Sequence, residues 1–171
     1  MKIKKLAGIS LIETILYLAI AVVILGVLFS YGWNVIGMNI KAQVAQEIEQ
    51  SAQLIGERLT YEIRNADSVD IANSNFGDSA KLVLLKINED TVTIEKSGDQ
   101  IAIKRGAGDS LALNSQDVKI KNFILTQQVS DTNEIQFVGF SFETVANYPG
   151  SLERSEYQYA LNYRSGVALR K

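Results

Sequence analysis

The chain of 171 residues contains no cysteine, no histidine and a single proline, Pro149. Without cysteine there is no disulfide framework, thiolate nucleophile, iron–sulfur cluster or cysteine-based zinc site. Without histidine there is no imidazole base, no Ser-His-Asp triad and no ordinary transition-metal site. The phosphate-cradling patterns GxxxxGK[ST] and GxGxxG are absent as well. Charge is scarce in one region only: between residues 6 and 40 the sole charged side chain is Glu13. The 131 residues that follow hold 14 Lys+Arg against 18 Asp+Glu, a net charge of −4. That balance opposes direct nucleic-acid binding. A carboxylate pair or a Ser-Lys arrangement is chemically conceivable, but no pattern supports either. The sequence therefore predicts a protein that is not an enzyme, with no catalytic, cofactor-binding or metal-binding residue.

What is present begins with Lys2, Lys4 and Lys5, three cations ahead of an apolar run. Such a bias holds that end on the cytoplasmic side and sends the rest of the chain across the membrane. Residues 14–33 are 20 uncharged, mostly apolar residues, enough for a helix to cross a hydrocarbon core of about 30 Å. Tyr31 and Trp33 stand at the far end, where amphipathic rings favour the membrane–water interface. A secretory signal peptide has a shorter apolar stretch, of roughly 7–15 residues, closed by a small-residue cleavage site. No such site closes this one. Glu13 lies within the apolar run, where an ionised carboxylate costs roughly 2.5–3.5 kcal/mol on insertion scales and marks a functional position if a partner exists.

The string Lys4-Lys5-Leu6-Ala7-Gly8-Ile9-Ser10-Leu11-Ile12-Glu13, followed directly by the apolar span, resembles the prepilin-type signal of type IV pilins and of type II secretion pseudopilins. The resemblance implies a leader of residues 1–8, cut after Gly8 by a prepilin peptidase that then methylates the new N-terminus at Ile9. It also places Glu13 five residues into the mature chain, at the family's glutamate. Glycine at the cut has a physical reason: it lacks bulk and helix propensity, so the scissile bond can be extended in a protease site. An acid in lipid needs a cation, and the N-terminal amine of a neighbouring subunit can supply one. In the family this pairing sets the stagger between subunits, so Glu13 is an assembly residue. Ile9 stands where the family most often has Phe. Val22 and Ser30 stand where major pilins commonly carry Gly and Pro, which favours a minor subunit. The implied partners are the prepilin peptidase, other pilins or pseudopilins met through the N-terminal helix, an inner-membrane assembly platform and membrane lipid. The implied location is the cytoplasmic membrane, single-pass, and a pilus or pseudopilus after assembly. The alternative is an uncleaved, signal-anchored extracytoplasmic binding protein.

Beyond the apolar run, Ile40, Val44, Ile48, Ala52, Ile55, Leu59, Ile63 and Ala66 recur at steps of three and four, the stripe of an amphipathic helix. The sequence predicts one helix over residues 9–66, with its stripe packed on its own domain. Asn65, Asp67 and Ser68 mark its end, since such residues favour caps and turns. Residues 67–171 read as a β-rich head. Strands are expected at 81–87, 91–96, 100–104, 118–126, 135–145 and 157–169, with a short apolar piece at 110–113. Asn88-Glu89-Asp90 and Ser97-Gly98-Asp99 have hairpin chemistry. The fold class expected is α+β and pilin-like, a long helix packed on one antiparallel sheet. Residues 57–66 resemble the corresponding stretch of J-type minor pseudopilins and W-type minor pilins, and residues 111–125 resemble the head of minor pseudopilins. Asp67, Asp70, Asn73, Asn75 and Asp78 form an oxygen-rich loop without EF-hand spacing, read as solvated and not as a calcium site. Phe137, Phe140, Phe142, Tyr157, Tyr159 and Tyr163 read mostly as sheet core.

Overall fold

In a computed structural model of the chain, residues 10–77, 80–86, 91–130, 135–148 and 154–169 are described. The chain divides into two compact units, Met1–Ile40 and Lys41–Lys171. Helix α1 spans Leu11–Arg64. It starts where the Ser10 carbonyl accepts the Thr14 amide at 3.1 Å, and no proline interrupts it.

The described part of the first unit, residues 10–40, is mostly apolar and unburied. Leu11, Ile12, Ile15, Leu16 and their successors as far as Met38 expose large hydrophobic side chains. This part of α1 is apolar and long enough to cross a membrane.

In the second unit the expected stripe is the buried face of the helix. Val44, Ile48, Ala52, Ile55, Leu59 and Ile63 are all buried, as is Ala66 just past the helix end. Ala52, Ile55, Leu59, Ile63 and Ala66 share a core with Leu82, Leu84, Ile94, Ile101, Phe123, Phe140 and Phe142 of the strands. The protein is α+β: one long N-terminal helix packed on antiparallel sheet, a layout consistent with a pilin-like fold.

The strands form two sheets where one was expected. The first has the order β1(Ser68–Val69), β2(Lys81–Leu85), β3(Thr91–Ser97), β4(Gln100–Arg105), β5(Ser110–Ala112). The second has β7(Ile135–Ala146) between β6(Val118–Val129) and β8(Ala160–Ala168). All pairings are antiparallel. Asn114 separates the sheets. Its Oδ1 accepts the Ile101 amide at 3.1 Å, and its Nδ2 donates to the Val118 carbonyl at 2.5 Å. A side chain thus occupies backbone groups that a continuing ladder would have used, and Asn114 itself is buried.

Boundaries differ from expectation at several elements: the helix starts at Leu11, β2 stops at Leu85 and β6 runs on to Val129. The helix ends at Arg64, two residues early, because the Asp67 amide turns to the Leu85 carbonyl at 2.9 Å and Ser68 and Val69 pair with β2. The last strand begins at Ala160 and not at 157, since Ser155–Tyr157 form a short 3-10 turn. Strand β6 contains a bulge between Lys121 and Ile124. Asn122 adopts φ 51° there, and the buried positions change phase from Val118 and Ile120 to Phe123 and Leu125. The Ser97-Gly98-Asp99 hairpin is present: Ser97 pairs with Gln100, and Gly98 takes φ +61°, as the first central residue of a type II′ turn requires. The expected Asn88-Glu89-Asp90 connection and Ile87 lie outside the described residues, as do residues 149–153 between the last two strands.

Candidate functional site

The sequence points to three site residues, and the structure describes one of them. Gly8 and Ile9 lie outside the described residues. Glu13 sits in the first turn of α1, among the exposed Leu11, Ile12, Ile15 and Leu16. An acid in the first turn suits the positive end of the helix dipole. Its Oε1 accepts a hydrogen bond from the Tyr17 hydroxyl at 3.2 Å, one helical turn on. A neutral donor of this kind lowers the cost of a carboxylate in apolar surroundings without cancelling its charge.

A second charged centre lies in the head, at Glu62. Its side chain is 0% exposed and is met by three cations. Arg105 donates to Oε1 at 2.6 Å, Lys86 to Oε2 at 2.9 Å, and Arg58 reaches Oε1 at 3.0 Å. Burial pushes the Glu62 carboxyl up, but hydrogen bonds from Lys86 and Arg105, with their charges, outweigh it and hold the group below its ordinary value. The same bond drives Arg105 further into its charged form. Chemically this is a clamp. It joins helix α1 to Arg105 at the end of β4 and to Lys86 just past β2.

Sequence reasoning did not single out Glu62. Two signals were there to find it. Position 62 falls seven residues after Ile55 and four before Ala66, on the buried side of the stripe. Arg58 precedes it by four residues, the spacing of a helical ion pair.

A third group straps the connection between β7 and β8 to the helix. The Tyr148 hydroxyl donates to Glu47, and the Tyr159 hydroxyl donates to Glu49 at 2.8 Å. Tyr148 and Tyr157 pack ring to ring at 5.4 Å, and the Arg154 guanidinium lies 5.3 Å over the Tyr157 ring. Burial, with the neighbouring Glu47, pushes the Tyr148 phenol up, and the bond to Glu49 does the same for Tyr159. Tyr157 and Tyr159 are therefore strap residues and not sheet core. Phe140 and Phe142 are core as expected, with Tyr163 stacked 5.2 Å from Phe142. Phe137 is partly exposed and lies over Gly166 of the adjacent strand.

The oxygen-rich loop spends its best acid on itself. Both Asp70 oxygens accept from Asn73, at 3.2 and 2.7 Å, and those bonds hold the carboxyl below its ordinary value. Asp78 lies outside the described residues. Among the described residues no three His, Cys, Asp or Glu side chains gather as a metal site.

No family model matches this chain, and neither a curated protein nor a solved structure does. The class defined by the fold is therefore stated from geometry alone. It is an α+β protein whose long N-terminal helix opens with one segment able to cross a membrane, followed by a head of antiparallel sheets.

Proposed function

We propose that this chain is a minor pilin or pseudopilin, a structural subunit of a type IV pilus or type II secretion pseudopilus. One observation carries the reading: a single helix, Leu11–Arg64, opens with an exposed apolar stretch holding Glu13 and continues into the core of a β-rich head. A protein that needed only an anchor would gain nothing from an acid in that stretch. A filament subunit gains a register mark, because the acid is at its cheapest when a neighbour's N-terminal amine stands beside it. In this reading a prepilin peptidase cuts between Gly8 and Ile9, leaving 163 residues with 14 basic and 19 acidic side chains. The head faces away from the cytoplasm, other subunits and an assembly platform are met through the helix, and the protein's work is assembly and not catalysis.

The test is the intact mass of the protein from cells that hold an active prepilin peptidase. Loss of residues 1–8 together with one methyl group on Ile9 is the expected result. A full-length mass under those conditions overturns the reading and leaves an uncleaved, signal-anchored binding protein. Glu13→Ala should allow cleavage while blocking incorporation into filaments. An anchored monomer would be indifferent to it.

A further inference from the structure

The Glu62 clamp is oversupplied with positive charge. One carboxylate carries one negative charge, yet three cations close on it. The Arg58 and Arg105 nitrogens share the same Oε1 at 3.0 and 2.6 Å, so they lie within ~6 Å of each other. Among the described residues the cluster therefore sets three positive charges against one negative, in a head whose overall balance is −4. Mutual repulsion among the three cations is only partly cancelled by Glu62. Each guanidinium has five N–H donors and the ammonium three; Glu62 accepts one hydrogen bond from Lys86 and one from Arg105, and meets Arg58 as an ion pair. Among the described residues they make no second ion pair.

The cations are also reachable. The Arg105 side chain is 55% exposed, Arg58 41% and Lys86 26%. Beside them on α1 are two apolar groups that the head leaves uncovered: Leu54 at 65% and Tyr61 at 56% exposed. Leu54, Arg58 and Tyr61 recur at steps of four and three, so they line one helix face. Arg58 lies 5.5 Å over the Tyr61 ring. An aromatic ring, an arginine and an aliphatic side chain side by side are the residue types that anchor protein partners, and a bare inorganic ion would make no use of Leu54 or Tyr61.

We propose that Arg58, Lys86 and Arg105 form a docking site for an acidic segment of a partner protein, one that sets two carboxylates on the cluster and an apolar side chain against Leu54 and Tyr61. Glu62 holds the three cations in place from below and is itself shielded from the partner. The site lies wholly within the head and stands whether or not the chain is a pilin.

The experiment uses the full chain in detergent micelles and a fluorescent pentapeptide of four glutamates around one leucine, with its glutamine counterpart as control. Fluorescence anisotropy should show the acidic peptide binding at least ~10-fold more tightly than the control, with affinity falling as salt rises. Arg105→Gln should weaken binding ~10-fold, while Arg105→Lys should restore most of it. Leu54→Ser, at an exposed helix position, should weaken the peptide several-fold and leave the melting temperature unchanged, and it carries the test if Arg105→Gln does not fold. Equal binding of the two peptides overturns the proposal. So does equal competition by sodium phosphate at matched ionic strength with Leu54→Ser without effect, which would mean a bare anion site. Concentration-dependent self-association that Arg105→Gln abolishes also overturns it, because the occupant would then be a second copy.

Discussion

Glu62→Gln removes one negative charge from the head while keeping the shape of the side chain. Three cations then face a neutral amide in a position with no solvent access. Breaking a fully buried ion pair by removing one partner costs about 3–5 kcal/mol. Here the partners are 26 to 55% exposed, so water takes up part of the orphaned charge and the upper end does not apply. Lys86, the least exposed, retains the largest share. We expect a loss of about 2–3 kcal/mol, or roughly 6–10 °C in melting temperature for a head of this size. The assay is urea and thermal unfolding of the full chain in mild detergent, followed by circular dichroism. The sign of the pH dependence follows from the depressed carboxyl. Because the folded group titrates below the unfolded one, its stabilisation is complete above the unfolded value of about 4.3 and fades as pH falls through the folded value. The parent and Glu62→Gln should therefore differ by a constant amount from pH 8 to about pH 5 and converge in more acidic solution. A difference under about 0.5 kcal/mol at pH 7, or one that does not shrink in acid, refutes the clamp.

Two further outcomes follow from close packing and from a buried amide. A Cβ at Gly56 would fall within the Tyr163 ring, which is stacked on Phe142 and has little room to move. Gly56→Ala should therefore cost about 1–3 kcal/mol by chemical unfolding despite the better helix propensity of alanine. The same change in a Tyr163→Ala background should be neutral or favourable, and a stabilising Gly56→Ala in the parent would sink the argument. Asn114→Leu strips the Ile101 amide and the Val118 carbonyl of their side-chain partner. It should cost about 2–4 kcal/mol, with hydrogen exchange at Ile101 accelerating ahead of its β4 neighbours.

The features that could be read from the sequence are those carried by a local period or a local gap in charge. The uncharged run after Glu13, the stripe from Val44 to Ala66, and the β3–β4 hairpin turning on Gly98 each depend on residues within a few positions of one another. So does the bulge at Asn122, where the apolar series Val118, Ile120, Phe123, Leu125 skips a beat, although the skip reads as an ordinary strand until the pairing with β7 is known. The short β1 left no such trace, because two residues are too few to show alternation.

The sequence by itself determined a long helix with one apolar and one amphipathic part, a β-rich head, and an acid placed against hydrophobic cost at Glu13. Only the tertiary structure decided which polar residues lie inside. Glu62 and Arg105 are 43 residues apart in the chain, and Tyr159 reaches Glu49 across 110. A surface glutamate and a buried one have the same side chain, and only folding brings the cations that make burial tolerable. The division into two sheets has the same origin. Asn114 is an ordinary loop residue by composition, and it separates the sheets only because folding sets β4 and β6 on either side of its amide.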